Sequence, residues 1–212
     1  MNIAAPRRAY RQSARAAAAE ATARRILDAF ARQLRERWFD EIRLEDVARE
    51  SDVTVQTVIR RFGGKDGLLD AMHHRLGEEI RRRREVLPGD AHGAVESLIE
   101  DYEQVGDLIL RSLAQEDRYP AVRAMTDIGR AMHREWIGRA FEPWLAPMPA
   151  AARLRAHDAL VVAGDIYVWK LLRRDMGRPL ADYRALVETM CAAAVGRSVD
   201  ELFANRQSGD RA

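Results

Sequence analysis

The chain has 212 residues, with 35 basic residues against 33 acidic ones and a formal net charge of +2. Hydrophobic residues make up 47% of the sequence and charged residues 32%, a balance that indicates a globular protein and excludes a disordered chain. The single cysteine, Cys191, excludes an intramolecular disulfide framework and a site built from several thiolates. Because this cysteine usage fits a reducing compartment, and Asp165 and Lys170 interrupt the most apolar run, we expect a cytoplasmic protein that does not span a membrane.

Basic residues are concentrated in the first third of the chain. Residues 1–35 carry eight arginines against Glu20 and Asp28, a net charge of +6, whereas residues 89–212 carry a net charge of −3. This asymmetry suggests that the amino-terminal end meets a polyanion, although a solvated Arg-rich helix face would give the same pattern. Residues 1–19 are predicted as a basic arm that follows phosphates or enters a narrow minor groove, unless they form a solvated tail. The cations of this arm are Arg7, Arg8, Arg11 and Arg15.

The sequence predicts an all-α fold, because apolar residues recur every three or four positions and β-branched alternation is absent. The predicted helices are, in chain order, one with an apolar stripe from Ile26 to Trp38, then Leu44–Glu50, Thr54–Phe62, 65–86, and about 92–116, 121–141, 150–175 and 179–195. Thr54 suits the N-cap of its helix, and Gly63 terminates that helix. Asp165 lies inside the helix over residues 150–175 without an obvious local partner, so it faces a pocket, an arginine of a partner subunit, or solvent.

Three short helices, with a tight turn between the second and the third, indicate a helix-turn-helix unit. The third helix is short and narrow enough to enter the major groove, where Gln56 is expected to pair bidentately with adenine and Val55 or Thr57 to contact a thymine methyl. Val58 and Phe62 lie four residues apart and are expected to face the core. The residues expected on the outer face of this helix are Thr54, Val55, Gln56, Thr57, Arg60 and Arg61.

These segments resemble the amino-terminal DNA-binding domain of TetR-type transcriptional regulators, the TetR/AcrR family. The resemblance covers about residues 20–72 and is carried by Ile26–Phe30, Leu44–Ala48 and Val53–Leu69, with the most specific spacing running from Phe62 through Lys65 to Leu68-Leu69. It implies a three-helix DNA-binding domain over residues 20–70, followed by a larger helical effector-binding and dimerisation domain over residues 71–212. It also implies that Arg61 and Lys65 contact phosphates.

The sequence departs from the family pattern at four positions. Ile59 stands where Tyr is common, so one phosphate hydrogen bond is expected to be missing. Gln56 replaces a common glycine or small residue and brings a base-reading side chain. Arg43 and Trp38 stand where a Ser or Thr cap and a glycine are frequent. The second helix is therefore expected to lack its usual cap, while Arg43 places a cation near the DNA backbone.

Aromatic and methionine side chains in the carboxy-terminal two thirds form either a plain core or an apolar small-molecule pocket between helices. The family resemblance favours the pocket, because such proteins typically sense a ligand in this domain. The candidate ligand-binding residues are Tyr102, Met125, Met132, Trp136, Tyr167 and Trp169. The last two long helices are predicted to pair with their mates in a second chain, and palindromic DNA requires such a symmetric dimer. Small residues expected to allow this close approach are Ala163, Gly164, Ala193 and Ala194.

No catalytic or metal-binding constellation stands out, since the rings of His73 and His74 diverge and His92, His133 and His157 are isolated in the sequence. We therefore expect no cofactor and no enzymatic activity. The sequence predicts a homodimeric repressor that binds a palindromic double-stranded DNA operator and is released by a small apolar or amphipathic effector, with helix 65–86 as the lever. One alternative is a helical ligand-binding or protein-interaction module whose helix-turn-helix no longer binds DNA, and another is a small helical enzyme.

Overall fold

The computed structural model describes the backbone of residues 5–203 and the side chains of residues 14–203. Within that range the chain is helical and forms no β-strand, which confirms the predicted all-α fold. The elements are α1 (Ala5–Glu36), a 3-10 turn (Phe39–Glu41), α2 (Leu44–Glu50), α3 (Val55–Phe62), α4 (Lys65–Arg83), α5 (Ala91–Leu113), α6 (Pro120–Ala140), α7 (Glu142–Leu145), α8 (Ala150–Ala163), α9 (Ile166–Trp169), a π-helical turn (Lys170–Asp175), α10 (Leu180–Ala194) and α11 (Val199–Leu202). None of these helices has the length and apolarity needed to cross a membrane.

Only part of the predicted basic arm can be located. Residues 1–4 and the side chains of Arg7, Arg8 and Arg11 lie outside the described residues. The backbone of residues 5–19 is helical and continues without a break into the rest of α1, and the Arg15 side chain is exposed.

The described chain divides into two compact units. The first, which we call the head, comprises the residues up to Leu76 together with Gln115–Val122. The second, the body, comprises Gly77–Ala114 and the residues from Arg123 onward. The division between Leu76 and Gly77 falls inside α4, which runs as one helix from Lys65 to Arg83.

The core of the head is formed by the apolar stripes that the sequence predicts. α1 packs against α2, and α2 packs against α3. Full burial of a Val, Leu, Ile, Phe or Met side chain stabilises the fold by about 1.5–3 kcal/mol. The buried residues include Ile26, Phe30 and Leu34 of α1, Val47 of α2, Val58 of α3, and Leu68, Leu69 and Met72 of α4.

Polar contacts that the sequence does not reveal join the connection between α5 and α6 to the rest of the head. The Phe39 backbone N–H donates to the buried Gln115 side-chain oxygen at 2.6 Å. Arg118 pairs with Asp40 at 2.8 Å. These two contacts join positions that are 76 and 78 residues apart in the chain.

The core of the body surrounds Trp169, which is completely buried. Its indole N–H donates to Glu103 Oε1 at 2.7 Å, and its ring centroid lies 6.1 Å from that of Tyr102. α10 packs against α8 and α5, and contributes the fully buried side chains of Tyr183 and Val187.

The prediction of one helix over residues 150–175 is wrong, because the chain breaks at Gly164 and Asp165. Gly164 is buried, and an added Cβ there would lie 3.2 Å from Leu98. Its carbonyl accepts a hydrogen bond from the Tyr102 hydroxyl at 2.9 Å. Asp165 has an extended backbone, and its carboxylate caps α9 by accepting the Tyr167 backbone N–H at 2.8 Å. The Asp165 carboxylate therefore does have a local partner, the amino-terminal end of α9.

The same break corrects part of the predicted dimer contact. Ala163 and Gly164 are buried inside the body, where Gly164 faces α5 and α6, so they are not available to a second chain. Ala193 on α10 is exposed, as the predicted close approach requires.

Gly106→Ala should destabilise the body, because α5 passes directly against the ring of Trp169. An added Cβ would lie 2.6 Å from two atoms of that ring, which is buried and held by Glu103. Overpacking of this kind is expected to lower the free energy of unfolding by about 1–3 kcal/mol, measured by urea unfolding followed by far-UV circular dichroism.

Gly129→Ala is the matched control within α6. Nothing lies within 4 Å of an added Cβ at Gly129, so this variant should gain about 0.5–1 kcal/mol from helix propensity. Equal stability of the two variants would contradict the packing role of Gly106.

Candidate nucleic-acid interface

The turn between α2 and α3 sets the direction in which α3 leaves the head. The Ser51 hydroxyl donates to the Val47 carbonyl at 2.7 Å and ends α2. Asp52 then adopts a left-handed backbone with φ of 54°, a conformation that Asp tolerates better than most residues. The Val53 N–H returns to the Ala48 carbonyl at 3.0 Å. The result is a tight turn closed by backbone hydrogen bonds.

The first turn of α3 is fixed by Thr54 and Val58. Thr54 is the N-cap, as the sequence predicts, and its hydroxyl oxygen accepts the Thr57 backbone N–H at 3.2 Å. The two threonine hydroxyls lie 2.9 Å apart, so they share a hydrogen bond. Val58 is completely buried. Because Val58 faces inward, the opposite edge of α3 faces outward.

This outward edge carries most of the side chains that the sequence assigned to DNA. The structure leaves Arg43, Thr54, Gln56, Arg60 and Arg61 exposed, and half-buries Val55, Thr57 and Lys65. Among the described side chains, none forms an ion pair with Arg43, Arg60 or Arg61. These guanidinium groups are therefore available to phosphates or bases.

Lys65, which the sequence assigns to a phosphate contact, also binds groups within the head. Its ammonium donates to the carbonyls of Asp40 at 3.3 Å and Ile42 at 3.2 Å, and lies 4.8 Å from the centroid of the Phe39 ring. An ammonium group has three N–H donors, so these bonds leave one for a phosphate. Lys65 thus ties the start of α4 to the segment that precedes α2.

α2 lacks a side-chain cap at Arg43, as the sequence predicts. Acidic residues in its first turn compensate, because negative charge favours a helix amino terminus. Asp46 accepts hydrogen bonds from Arg37 at 3.0 Å and from Arg49, and these two guanidinium groups lower the pKa of its carboxyl group. The sequence pattern alone does not reveal this arrangement.

The turn between α3 and α4 depends on three glycines. Gly63 ends α3 in a left-handed conformation, with φ of 79°, and Gly64 follows with φ of 135°. A Cβ on Gly67 would lie 1.7 Å from the Phe62 carbonyl oxygen. Glycine at position 67 therefore permits the close approach of α4 to the end of α3, a role that the sequence analysis missed.

The candidate ligand-binding residues of the body do not all lie together. Tyr102, Trp136 and Trp169 are buried in its core, and Met125 and Met132 are half-buried on α6. Tyr167 is 56% exposed, because the break at Asp165 turns it to the surface. A groove of about 480 Å³ opens elsewhere in the body, and its lining residues include Gly138, Leu145, Leu154 and His157 but none of these six.

A buried cluster of charges lies beside these aromatic side chains. Asp101 is completely buried and accepts hydrogen bonds from both Arg83 and Arg84. The Arg84 guanidinium lies 5.2 Å from the ring centroid of Tyr102 and 5.1 Å from that of Trp136. The Trp136 indole N–H donates to the Arg84 carbonyl at 2.7 Å. Two of the aromatic residues expected to bind a ligand, Tyr102 and Trp136, thus contact Arg84, which directly follows α4.

His133 borders the same cluster, with its Nδ1 atom 3.4 Å from Arg84 Nη1. Burial lowers the pKa of His133 from 6.5 to about 4, and the positive charge of Arg84 acts in the same direction. The imidazole is therefore neutral at pH 7.

Comparison with known proteins identifies the first part of the chain. Residues 26–72 match the family of bacterial regulatory proteins called the tetR family. No curated protein matches the sequence.

Two solved structures share the fold. One is a tetR-family transcriptional regulator from Streptomyces coelicolor, with 16% identity, coverage of 87% of this chain and 89% of that one, and a TM-score of 0.60. The other is a candidate transcriptional regulator from Pseudomonas aeruginosa PAO1, with 16% identity, coverage of 85% and 93%, and a TM-score of 0.61. At this identity the likeness concerns the fold.

Acidification should destabilise the wild-type protein partly through His133. Its pKa in the folded state is lower than in the unfolded chain, so the unfolded chain binds more protons between about pH 6.5 and pH 4. Stability contributed by the neutral imidazole is complete above that window and is lost as the pH falls through it. Between pH 7 and pH 5 the loss should be roughly 2 kcal/mol.

The measurement is urea unfolding at both pH values for the wild type and for His133→Gln, which does not titrate. The variant should lose less stability than the wild type over this interval. Parallel pH profiles for the two proteins would show that His133 titrates normally.

Proposed function

We propose that this chain, whose residues 26–72 match the tetR family of bacterial regulatory proteins, represses transcription as an effector-controlled homodimer. The dimer binds a palindromic double-stranded DNA operator through α3 and is released when a small apolar or amphipathic molecule binds the body. Because we propose that it binds operator DNA, we place its action in the cytoplasm and assign it no catalytic role.

The observation that supports this proposal best is the outward edge of α3. Small side chains at the start of that helix allow close approach to base edges, and Arg60 and Arg61 follow without ion pairs among the described side chains. Gln56 is exposed between them and has the amide geometry for bidentate pairing with adenine. We assign base reading to Gln56, and phosphate binding to Arg43, Arg61 and the remaining donor of Lys65.

The dimer is supported by an exposed apolar surface on the body. α8 and α10 pack against each other through their buried sides. Six large apolar side chains on the remaining surface of this region are between 41% and 63% exposed, and large exposed apolar patches mark interaction sites. We call them the apolar face: Leu154, Val162, Tyr167, Leu171, Met176 and Leu186. We propose that a second copy of the chain covers this face about a two-fold axis.

Release by an effector is supported by the surroundings of Arg84. α4 begins at Lys65, which is bound to the segment preceding α2, and ends at Arg83, next to the arginine that Tyr102 and Trp136 enclose. A ligand that separates these two rings displaces Arg84 and with it the end of α4. We propose that the liganded dimer favours a spacing of its two α3 helices that does not fit the operator, so that the population shifts away from DNA.

Selection of bound sites from random duplexes, followed by gel-shift titration, tests the function directly. We expect an inverted repeat with half-site centres about one helical turn apart, and binding that weakens steeply with salt. Absence of binding at about 50 mM salt would favour the alternative, a helical ligand-binding module whose head no longer binds DNA. That alternative is motivated by Ile59, which is 47% exposed where a phosphate-binding Tyr is common in the family.

Gln56→Ala should relax specificity at one base pair of each half-site. Loss of the bidentate pair is expected to cost about 1–3 kcal/mol against the preferred operator and little against a duplex altered at that position. Arg61→Ala is the control on the same helix and should weaken binding to all sequences alike. The measurement is gel-shift titration of both duplexes, and identical effects of the two variants on each would refute the division into reading and anchoring roles.

Leu186→Arg should convert the dimer to a monomer, because a two-fold contact would bury the new charge without a partner. The matched control is Leu87→Arg in the α4–α5 loop, where the leucine is 78% exposed and lies outside the apolar face. Sedimentation velocity should detect a monomer for the first variant and a dimer for the second. If Leu186→Arg remains dimeric, the second chain binds elsewhere.

A further inference from the structure

The segment 39–42, which joins α1 to α2, lies next to two of the cations that we assign to phosphates. It consists of a 3-10 turn and one extended residue. Arg43 comes directly after it in the chain. The Lys65 ammonium donates to the carbonyls of Asp40 at 3.3 Å and Ile42 at 3.2 Å. The positions of both cations therefore depend on how this segment is held.

A residue outside the helix-turn-helix forms a buried hydrogen bond with the start of this segment. The Phe39 N–H is the first of the 3-10 turn, so no carbonyl within the turn can accept it. It donates to Oε1 of Gln115 at 2.6 Å, and both residues are buried, Gln115 with only 1% of its surface exposed. Because a buried N–H without an acceptor is costly, this bond fixes the position of Phe39.

Two further contacts from the α5–α6 connection support the segment. Arg118 pairs with Asp40 at 2.8 Å, but the two side chains are 66% and 42% exposed, and exposed ion pairs contribute little. The Phe39 and Tyr119 rings meet edge to face, with centroids 5.5 Å apart. Of these three contacts, the one from Gln115 is the hydrogen bond between two buried groups.

The Phe39 ring also contacts the Lys65 ammonium. Its centroid lies 4.8 Å from the ammonium nitrogen, which also donates to the carbonyl of the next residue, Asp40. A shift of the Phe39 backbone therefore moves both a ring and a carbonyl that orient this ammonium. Lysine has a flexible four-carbon stem, so an ammonium that is not held beforehand loses more freedom when it binds a phosphate.

We propose that Gln115 is a positioning residue for DNA binding, which holds the Lys65 ammonium, through the segment 39–42, where it meets a phosphate. This inference rests on the proposed function. It extends the set of residues that determine DNA affinity beyond residues 26–72, the part of the chain that matches the tetR family. Gln115 is too deeply buried to touch DNA itself.

Gel-shift titration of Gln115→Met, an apolar substitution of similar length, against the selected operator tests this role. Because each half-site of the operator loses one preorganised ammonium, we expect binding roughly tenfold weaker than that of the wild type. In a Lys65→Met background the same substitution should change the affinity by no more than about twofold, since the cation through which Gln115 acts is gone. A merely structural role would lower the affinity equally in both backgrounds.

Two other variants separate positioning from loss of the fold. Gln104→Met is the matched control, because Gln104 is exposed on α5 and donates to Glu100 at 3.1 Å, and it should bind the operator like the wild type. Phe39→Leu keeps an apolar side chain in the core but removes the ring next to the ammonium, so it should weaken binding in the same Lys65-dependent way. Far-UV circular dichroism during urea unfolding gives the folded fraction of every variant.

The outcomes distinguish a failure of this role from a failure of the proposed function. Wild-type affinity in folded Gln115→Met, or equal losses with and without Lys65, would overturn the positioning role and leave the proposed function standing. If Gln115→Met does not fold, the same two results for Phe39→Leu decide. Absence of operator binding by the wild type would overturn both.

Discussion

The position of α3 depends on how its two ends are held, because the helix is too short to stabilise itself. It spans Val55–Phe62, whereas isolated helices below about 12–15 residues are marginal in water. Val58 is the only residue of this helix that is buried. Thr54 fixes its first turn by a side-chain cap, and Gly63 ends it with a left-handed residue that returns its N–H to the Ile59 carbonyl. The outer edge is left free to meet another molecule because these few contacts provide the orientation.

The features that sequence reasoning recovered are local ones. The Thr54 cap, the Gly63 terminus and the Leu44–Glu50 helix are all set by residues within a few positions of one another. What it missed depends on residues far apart in the chain, such as Gln115 binding the Phe39 N–H. The long helix over residues 150–175 was predicted from an apolar run, and the run is real. Its interruption at Gly164 is caused by packing against Leu98 and Tyr102, which periodicity does not register.

In the candidate site, too, the local features could be predicted from the sequence and the long-range contacts could not. The exposed positions on α3 could be inferred from the helical period once Val58 was assigned to the core. The second role of Lys65 could not, because its carbonyl partners Asp40 and Ile42 lie in a 3-10 turn and a short extended segment without a strong sequence signal. In the body, aromatic composition indicated a pocket, yet Tyr167 lies at the surface while Tyr102 and Trp169 meet in the core.

α5 contacts both the end of α4 and the π-helical turn through two acidic residues near its middle, Asp101 and Glu103. Asp101 binds Arg83 and Arg84 at the end of α4, whereas Glu103 binds the Trp169 indole and Arg173 of the π-helical turn. Arg173 and the Trp169 indole hold the pKa of Glu103 below its usual value, so this residue remains a carboxylate.

A displacement of α5 therefore cannot be confined to one side of the helix. If Tyr102 moves to admit a ligand, the carboxylates one residue away on either side move with it, and the arginines that they bind must follow or be left with an uncompensated charge. In the effector response proposed above, the end of α4 and the segment carrying Tyr167 and Leu171 therefore move together through this single helix.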